Sequence, residues 1–241
     1  MKIAVIGGTG NIGKGFALRW GQKHEVIVGS RDQKRAETKA AEFTAILKDY
    51  GLDANITGAL NKKAAAAADV VVLAIRYNQV FAIIDQIKPV LKDQIVISVV
   101  VPMAKDRCMI VPDSTTIEVK ATDRDDYKVD YFCYSTPASG SAAEEIDAML
   151  PDGIKLVSAF HNVPAAKLSN MDIELSYDVG VCGNNMHSKK VVFDLVRDIS
   201  NMRPLDIGPL ETSSMVESLT PLLINIAIRN NMKDVGIKFI D

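Results

Sequence analysis

Apolar residues fall in short β-branched blocks, at 3–6, 26–28, 70–75, 95–101, 156–159, 179–182 and 205–207, separated by stretches with helical spacing. Blocks without apolar/polar alternation fit strands buried on both faces, which is the pattern of a parallel sheet covered by helices. Helices are predicted over 11–21, 33–50, 61–68, 78–91, 141–150 and 188–200. This alternation predicts an α/β, Rossmann-type doubly wound fold with a mainly parallel sheet and a small C-terminal domain. The division expected is a dinucleotide-binding domain over 1–155 and a smaller one over 156–241 that closes a cleft.

Punctuation sharpens some boundaries. Gly51 ends a long helical run as a left-handed cap, and Pro151-Asp152-Gly153 is a turn signal. From 105 to 140, Pro112, Pro137 and the charged run 123–126 interrupt any period. An irregular insertion is expected there, with one hairpin pairing 117–120 with 129–133. Such an insertion serves either as passive surface or as a lid or subunit contact.

The composition excludes several classes. Lys plus Arg number 28 against 30 Asp plus Glu, a formal charge of −2, so no nucleic acid or anionic membrane is expected as a partner. Cys108, Cys133 and Cys182 are odd in number and never form a C-x-x-C pair, which suggests reduced thiols, no metal site and a cytoplasmic location. The chain opens directly into its first strand block rather than into a leader. The apolar stretch 216–228 is broken by Glu217, Pro221 and Asn225, and falls short of the roughly 20 residues of a bilayer span.

Candidate chemistry begins directly after the first strand. Gly7-Gly8-Thr9-Gly10-Asn11-Ile12-Gly13 follows that strand and opens a helix, the context in which a G-x-G-x-x-G match means a dinucleotide loop. Gly8 is assigned the tight turn, Gly10 the close backbone approach to a pyrophosphate, and Gly13 the close packing of helix on strand. The second strand ends in Ser30-Arg31 with Arg35 one turn on, and no carboxylate occupies its tip. Those residues suit a 2′-phosphate and hence NADP, although two exposed arginines also fit an ordinary solvated helix start. Asp32 precedes the helix and reads as its N-cap.

Residues for acid–base chemistry are scarce. None of the six tyrosines has Lys four residues later, which counts against the short-chain reductases. His24 and His187 read as solvated. His161 follows a strand end, where ligands bind in open α/β sheets; it is either a cavity residue or a loop histidine satisfied by backbone. No catalytic side chain is assigned. Hydride transfer between two bound cofactors fits that deficit, because the reactive carbons belong to the cofactors.

Several segments in series carry a resemblance. They are 7–15, 28–31, 157–166 (Val-Ser-Ala-Phe-His-Asn-Val-Pro-Ala-Ala), 181–183, 203–210 (Arg-Pro-Leu-Asp-Ile-Gly-Pro-Leu), 216–222 and 236–239. Together they resemble the archaeal F420H2:NADP oxidoreductases known from methanogens. The resemblance implies a homodimer that passes hydride reversibly between coenzyme F420 and NADP. It also implies that Thr9, Gly10, Asn11 and Ile12 hold the pyrophosphate, that Ser30, Arg31 and Arg35 hold the 2′-phosphate, and that Ile75, Arg76, Val101 and Met103 line the nicotinamide. Ala165 would orient the carboxamide through its backbone, with Pro102, His161, Ser218 and Leu219 beside the deazaflavin.

Arg76 departs from the family, which often has proline there; either it reaches a cofactor phosphate or the loop differs. In the last helix, Met215, Leu219, Leu222, Leu223 and Ile226 share one face, as core or as a contact with a second subunit. Two alternatives to the F420 activity are an NADPH-dependent reductase of another small acceptor, such as an imine, flavin or ferric chelate, and a non-catalytic NADP-sensing protein.

Overall fold

The computed structural model describes residues 1–105 and 131–240. Strands β1 (Lys2–Ile6), β2 (Glu25–Ser30), β3 (Ile56–Leu60), β4 (Val70–Leu73) and β5 (Ile95–Ser98) alternate with helices α1 (Asn11–Trp20), α2 (Gln33–Asp49), α3 (Asn61–Ala67) and α4 (Val80–Ile87). A short hairpin follows, in which β6 (Met103–Lys105) pairs antiparallel with β7 (Phe132–Tyr134). The expected pairing of 117–120 with 129–133 lies outside the described residues, apart from the start of β7. The rest comprises α5 (Ala142–Met149), β8 (Lys155–Ser158), α6 (Ala165–Ser169), β9 (Asp178–Cys182), α7 (Met186–Arg197), β10 (Arg203–Gly208), α8 (Ser213–Glu217) and α9 (Leu219–Arg229).

One eight-stranded sheet runs in the order β10-β9-β8-β5-β4-β1-β2-β3. Strands β1 to β5 and β8 are mutually parallel, as the unalternating blocks predict for all of them but β3, and the reversal of direction falls between β8 and β9, paired through Ser158 and Cys182. Burial on both faces is explicit in β1. Ile3 and Val5 join one core with Phe16, Trp20, Phe43, Leu195 and Val196 from α1, α2 and α7. Ala4 and Ile6 join the other with Ala64, Ile84, Ile87 and Ile146 from α3, α4 and α5.

Helix ends follow local chemistry. Asp32 caps α2 by accepting from the Arg35 amide at 2.7 Å, the N-cap role read from sequence, and Gly51 closes that helix at φ +68°. Ser141 caps α5 through the Glu144 amide at 3.0 Å, and Asn185 caps α7 through the Ser188 amide at 2.9 Å.

Several expectations need correction. The helix expected over 78–91 is divided into a 3-10 turn at Tyr77–Gln79, α4, and a second 3-10 turn at Lys88–Val90, because Pro89 cannot continue the α ladder. Cys133 is disulfide-bonded and not a reduced thiol, whereas Cys182 is free and buried. His24 is half-buried, its Nε2 2.8 Å from Asp198, rather than solvated. Among the described residues no helix is long and apolar enough to cross a membrane.

Candidate functional site

The glycine loop sits at the C-terminal ends of β1 and β4, where connections leave to opposite sides of the sheet. Open α/β sheets place ligands at that point. The tight turn belongs to Gly7, not Gly8: Gly7 has φ +77°, and a Cβ there would lie 2.4 Å from the Ala74 carbonyl oxygen. Gly8 instead ties the loop to the sheet, its amide donating to the carbonyls of Val5 at 3.0 Å and Gly29 at 3.1 Å. A Cβ on Gly13 would meet Gly8 Cα at 2.5 Å, so α1 packs on the loop itself. On Gly10 the nearest neighbour would be the Gly7 carbonyl oxygen at 3.4 Å, which leaves this stretch of backbone open to a diphosphate.

Around this loop lies a cavity of about 1410 Å³. It brings together Thr9, Gly10, Asn11, Ile12, Ser30, Arg31, Arg35, Ile75, Arg76, Val101, Met103, His161 and Ala165. Gly8, Gly13, Pro102, Ser218 and Leu219 do not line it. The two glycines act from behind the loop, and Pro102 is buried. At the tip of β2, Ser30 Oγ accepts the Asp32 amide at 3.2 Å and keeps its own hydrogen to donate, while Arg31 and Arg35 are exposed. Arg76 is exposed at the cavity edge, its amide donating to Gln79 Oε1 at 3.3 Å.

The opposite wall comes from β8 onward. Phe160 packs edge-on against Phe16 and Trp20, with centroids 5.1 and 5.7 Å away, and adopts φ +67°, an unusual backbone for a bulky residue. His161 follows this turn, 6% exposed and on the cavity wall, with no hydrogen-bond partner for either ring nitrogen among the described residues. The backbone-satisfied alternative for this histidine therefore does not hold. Burial drives its pKa down to about 3, so the imidazole is neutral at working pH. Its carbonyl oxygen accepts Thr220 Oγ1 at 2.6 Å, tying the loop to α9.

Sequence reasoning missed part of this wall. Thr220, Leu223, Ile224 and Ala227 of α9 line the cavity at helical spacing, whereas Met215 and Leu222 of the apolar stripe are exposed. Counting the threonine and alanine at that spacing would have found the face. Asn162 was also missed, although it lies within the 157–166 segment singled out above, and so was Asn61, which nothing in its local sequence marks. Glu217 holds the wall in place. Fully buried, it accepts from Tyr134 Oη at 2.7 Å and from the amides of Ala142 and Ala143 at 3.0 Å each, and burial raises its pKa.

A glycine loop at a sheet switch point, a cationic second-strand tip and a cavity running on to a strand-end histidine define a nicotinamide-dinucleotide oxidoreductase of the Rossmann class. Residues 2–102 match the family described as NADP oxidoreductase, coenzyme F420-dependent. The F420-dependent NADP reductase of Methanocaldococcus jannaschii is 40% identical over 99% of this chain and 97% of its own. That of Methanothermobacter thermautotrophicus is 33% identical over 99% of this chain and 94% of its own. The chain belongs to the F420-dependent NADP reductases. A crystal structure of a putative F420-dependent NADP reductase from Arthrobacter sp. FB24 shares the fold, with a TM-score of 0.73, 23% identity and full coverage of both chains. Plasmodium falciparum pyrroline carboxylate reductase, solved with NADP, aligns at a TM-score of 0.51 with 14% identity, over 85% of this chain and 57% of its own.

Proposed function

We propose that this enzyme transfers hydride reversibly between coenzyme F420 and NADP, both held in the cavity described above. The observation that carries the reading is the continuity of that cavity: at about 1410 Å³ it exceeds the roughly 300–1,000 Å³ of a single small-ligand pocket. It runs from the glycine loop to an apolar wall on α9. When bound, the two cofactors supply the donor and acceptor carbons, and the protein's contribution is proximity and exclusion of water.

In this reading the amides at the start of α1 hold the pyrophosphate, and Ser30, Arg31 and Arg35 hold the 2′-phosphate. Ile75, Val101 and Met103 shape the nicotinamide side, and Ala165 orients its carboxamide through the backbone. His161, uncharged, together with Leu223 and Ile224, faces the second ring. No side chain acts as general acid or base. Residues 156–241 serve as the part that closes the F420 side. Exposed Met215, Leu222 and Met232, 66%, 51% and 52% accessible, are the surface assigned to a second copy in a homodimer. A cytoplasmic location accompanies exchange between two diffusible carriers.

The test is direct. Mixed with oxidised F420 and NADPH, the protein should bleach the deazaflavin absorption, and with NADH far more slowly. Absence of bleaching with either nucleotide removes the reading.

A further inference from the structure

Asn61 directly follows β3, is 2% exposed and borders the cavity. Its Nδ2 donates to Gln86 Oε1 on α4 at 3.3 Å, which orients the amide. The other end, Oδ1, is buried without a hydrogen-bond partner among the described residues. It lies over the backbone of β2: a Cβ built on Gly29 would be 3.0 Å from it. Gly29 immediately precedes Ser30, so this orphaned acceptor adjoins the strand tip to which the 2′-phosphate is assigned.

A buried carbonyl oxygen without a donor costs about 1–3 kcal/mol, and nearly all such atoms in folded proteins have partners. A ligand that binds at this strand tip can supply the missing donor, and its chemistry narrows the choice. The adenosine ribose of NADP is phosphorylated on its 2′-oxygen, which offers only acceptors, so the adjacent 3′-hydroxyl is the sole donor left on that sugar. Ser30 is less suited to receive it, because its Oγ already accepts the Asp32 amide at 3.2 Å. We propose that Asn61 Oδ1 accepts a hydrogen bond from the 3′-hydroxyl of the NADP adenosine ribose, which makes Asn61 a further binding residue for the nucleotide. This inference rests on NADP being the nucleotide bound at the β2 tip.

Equilibrium binding of NADPH and of its 3′-deoxy analogue, followed by nicotinamide fluorescence without F420, tests it. Wild type should bind NADPH about tenfold more tightly than the analogue, the value of one hydrogen bond. Asn61→Ala should bring that ratio close to one, and Asn61→Asp, which keeps an acceptor, should preserve it even where overall affinity falls. Equal, tight binding of both nucleotides by wild type overturns the proposal alone, whether or not a variant folds. So does an alanine variant that keeps the full preference, or an aspartate variant that loses it. A wild type that binds neither nucleotide overturns the NADP assignment and this proposal with it.

Discussion

The buried carboxylate of Asp178, at the start of β9, accepts a two-pronged hydrogen bond from Arg203 at the start of β10, 2.8 Å from Nε and 2.7 Å from Nη2. The same pair holds the C-terminal segment: Asp178 Oδ2 also accepts the Phe239 amide at 2.6 Å, and Arg203 Nη2 donates to the Phe239 carbonyl at 2.7 Å. Asn162, on the cavity wall, donates to the Asp178 carbonyl at 2.7 Å. One ion pair therefore fixes the tail, whose Asp234 and Val235 also border the cavity, relative to the His161 loop.

Arg203→Lys should lower stability by about 1.5–3 kcal/mol, because an ammonium cannot reproduce the planar fork. The Phe239 amide should exchange faster with deuterated water in this variant. Arg203 and then the Phe239 amide hold the Asp178 pKa below the usual carboxylate range. The resulting stabilisation is present above the unfolded carboxylate pKa of about 3.9 and is lost as pH falls through the lower folded value. Unchanged denaturation midpoints and tail exchange in the variant would contradict this account.

Arg31→Ala should raise KM for NADP roughly tenfold to a hundredfold, one charge-assisted phosphate contact being worth about 1.5–3 kcal/mol. KM for NAD and for F420 should move little. Equal effects on NADP and NAD would remove the 2′-phosphate role.

His161 carries a pH signature. Its folded pKa lies near 3, so below the unfolded value of about 6.5 the unfolded chain binds a proton that the folded chain refuses. Stability then falls as pH drops, by about 2 kcal/mol between pH 7.5 and 5 from this group. Urea midpoints at the two pH values should show His161→Gln losing less than wild type by that amount. Identical losses would mean that the imidazole protonates freely in the fold.

Gly13→Ala should fail at the cradle before it fails at the fold. The added methyl meets Gly8 Cα at 2.5 Å, and overpacking of this kind costs about 1–3 kcal/mol. The loop must move off α1, so NADP affinity measured by fluorescence titration should drop at least as far as stability does. Wild-type affinity in a folded variant would show that the glycine is not needed for approach.

Legibility followed the physics of each element. The sheet centre was readable because Ile3 to Ile6 and Val70 to Leu73 bury both faces and admit only apolar residues. The edge strand Ile56–Leu60 was not, since only Ile56 is buried and its Thr and Gly look like loop. The nucleotide loop was legible because its constraints are backbone constraints that only glycine meets, although the turn fell on Gly7 rather than Gly8. The second wall was harder. Hydrophobicity chose Met215 and Leu222, while the cavity face uses Thr220 and Ala227, which a search for large apolar residues passes over. Asn61 becomes visible only once β3 is in place beside Gly29.

The amide of Gly8, shared between the Val5 and Gly29 carbonyls, makes the start of the cradle a continuation of the sheet. Its hydrogen will therefore be released to solvent only by openings that part β1 from β2, at rates set by the central strands rather than by a surface loop. Nucleotide capture consequently meets a preorganised rim and needs little ordering of the chain there, so the entropic cost of association falls mainly on the ligand.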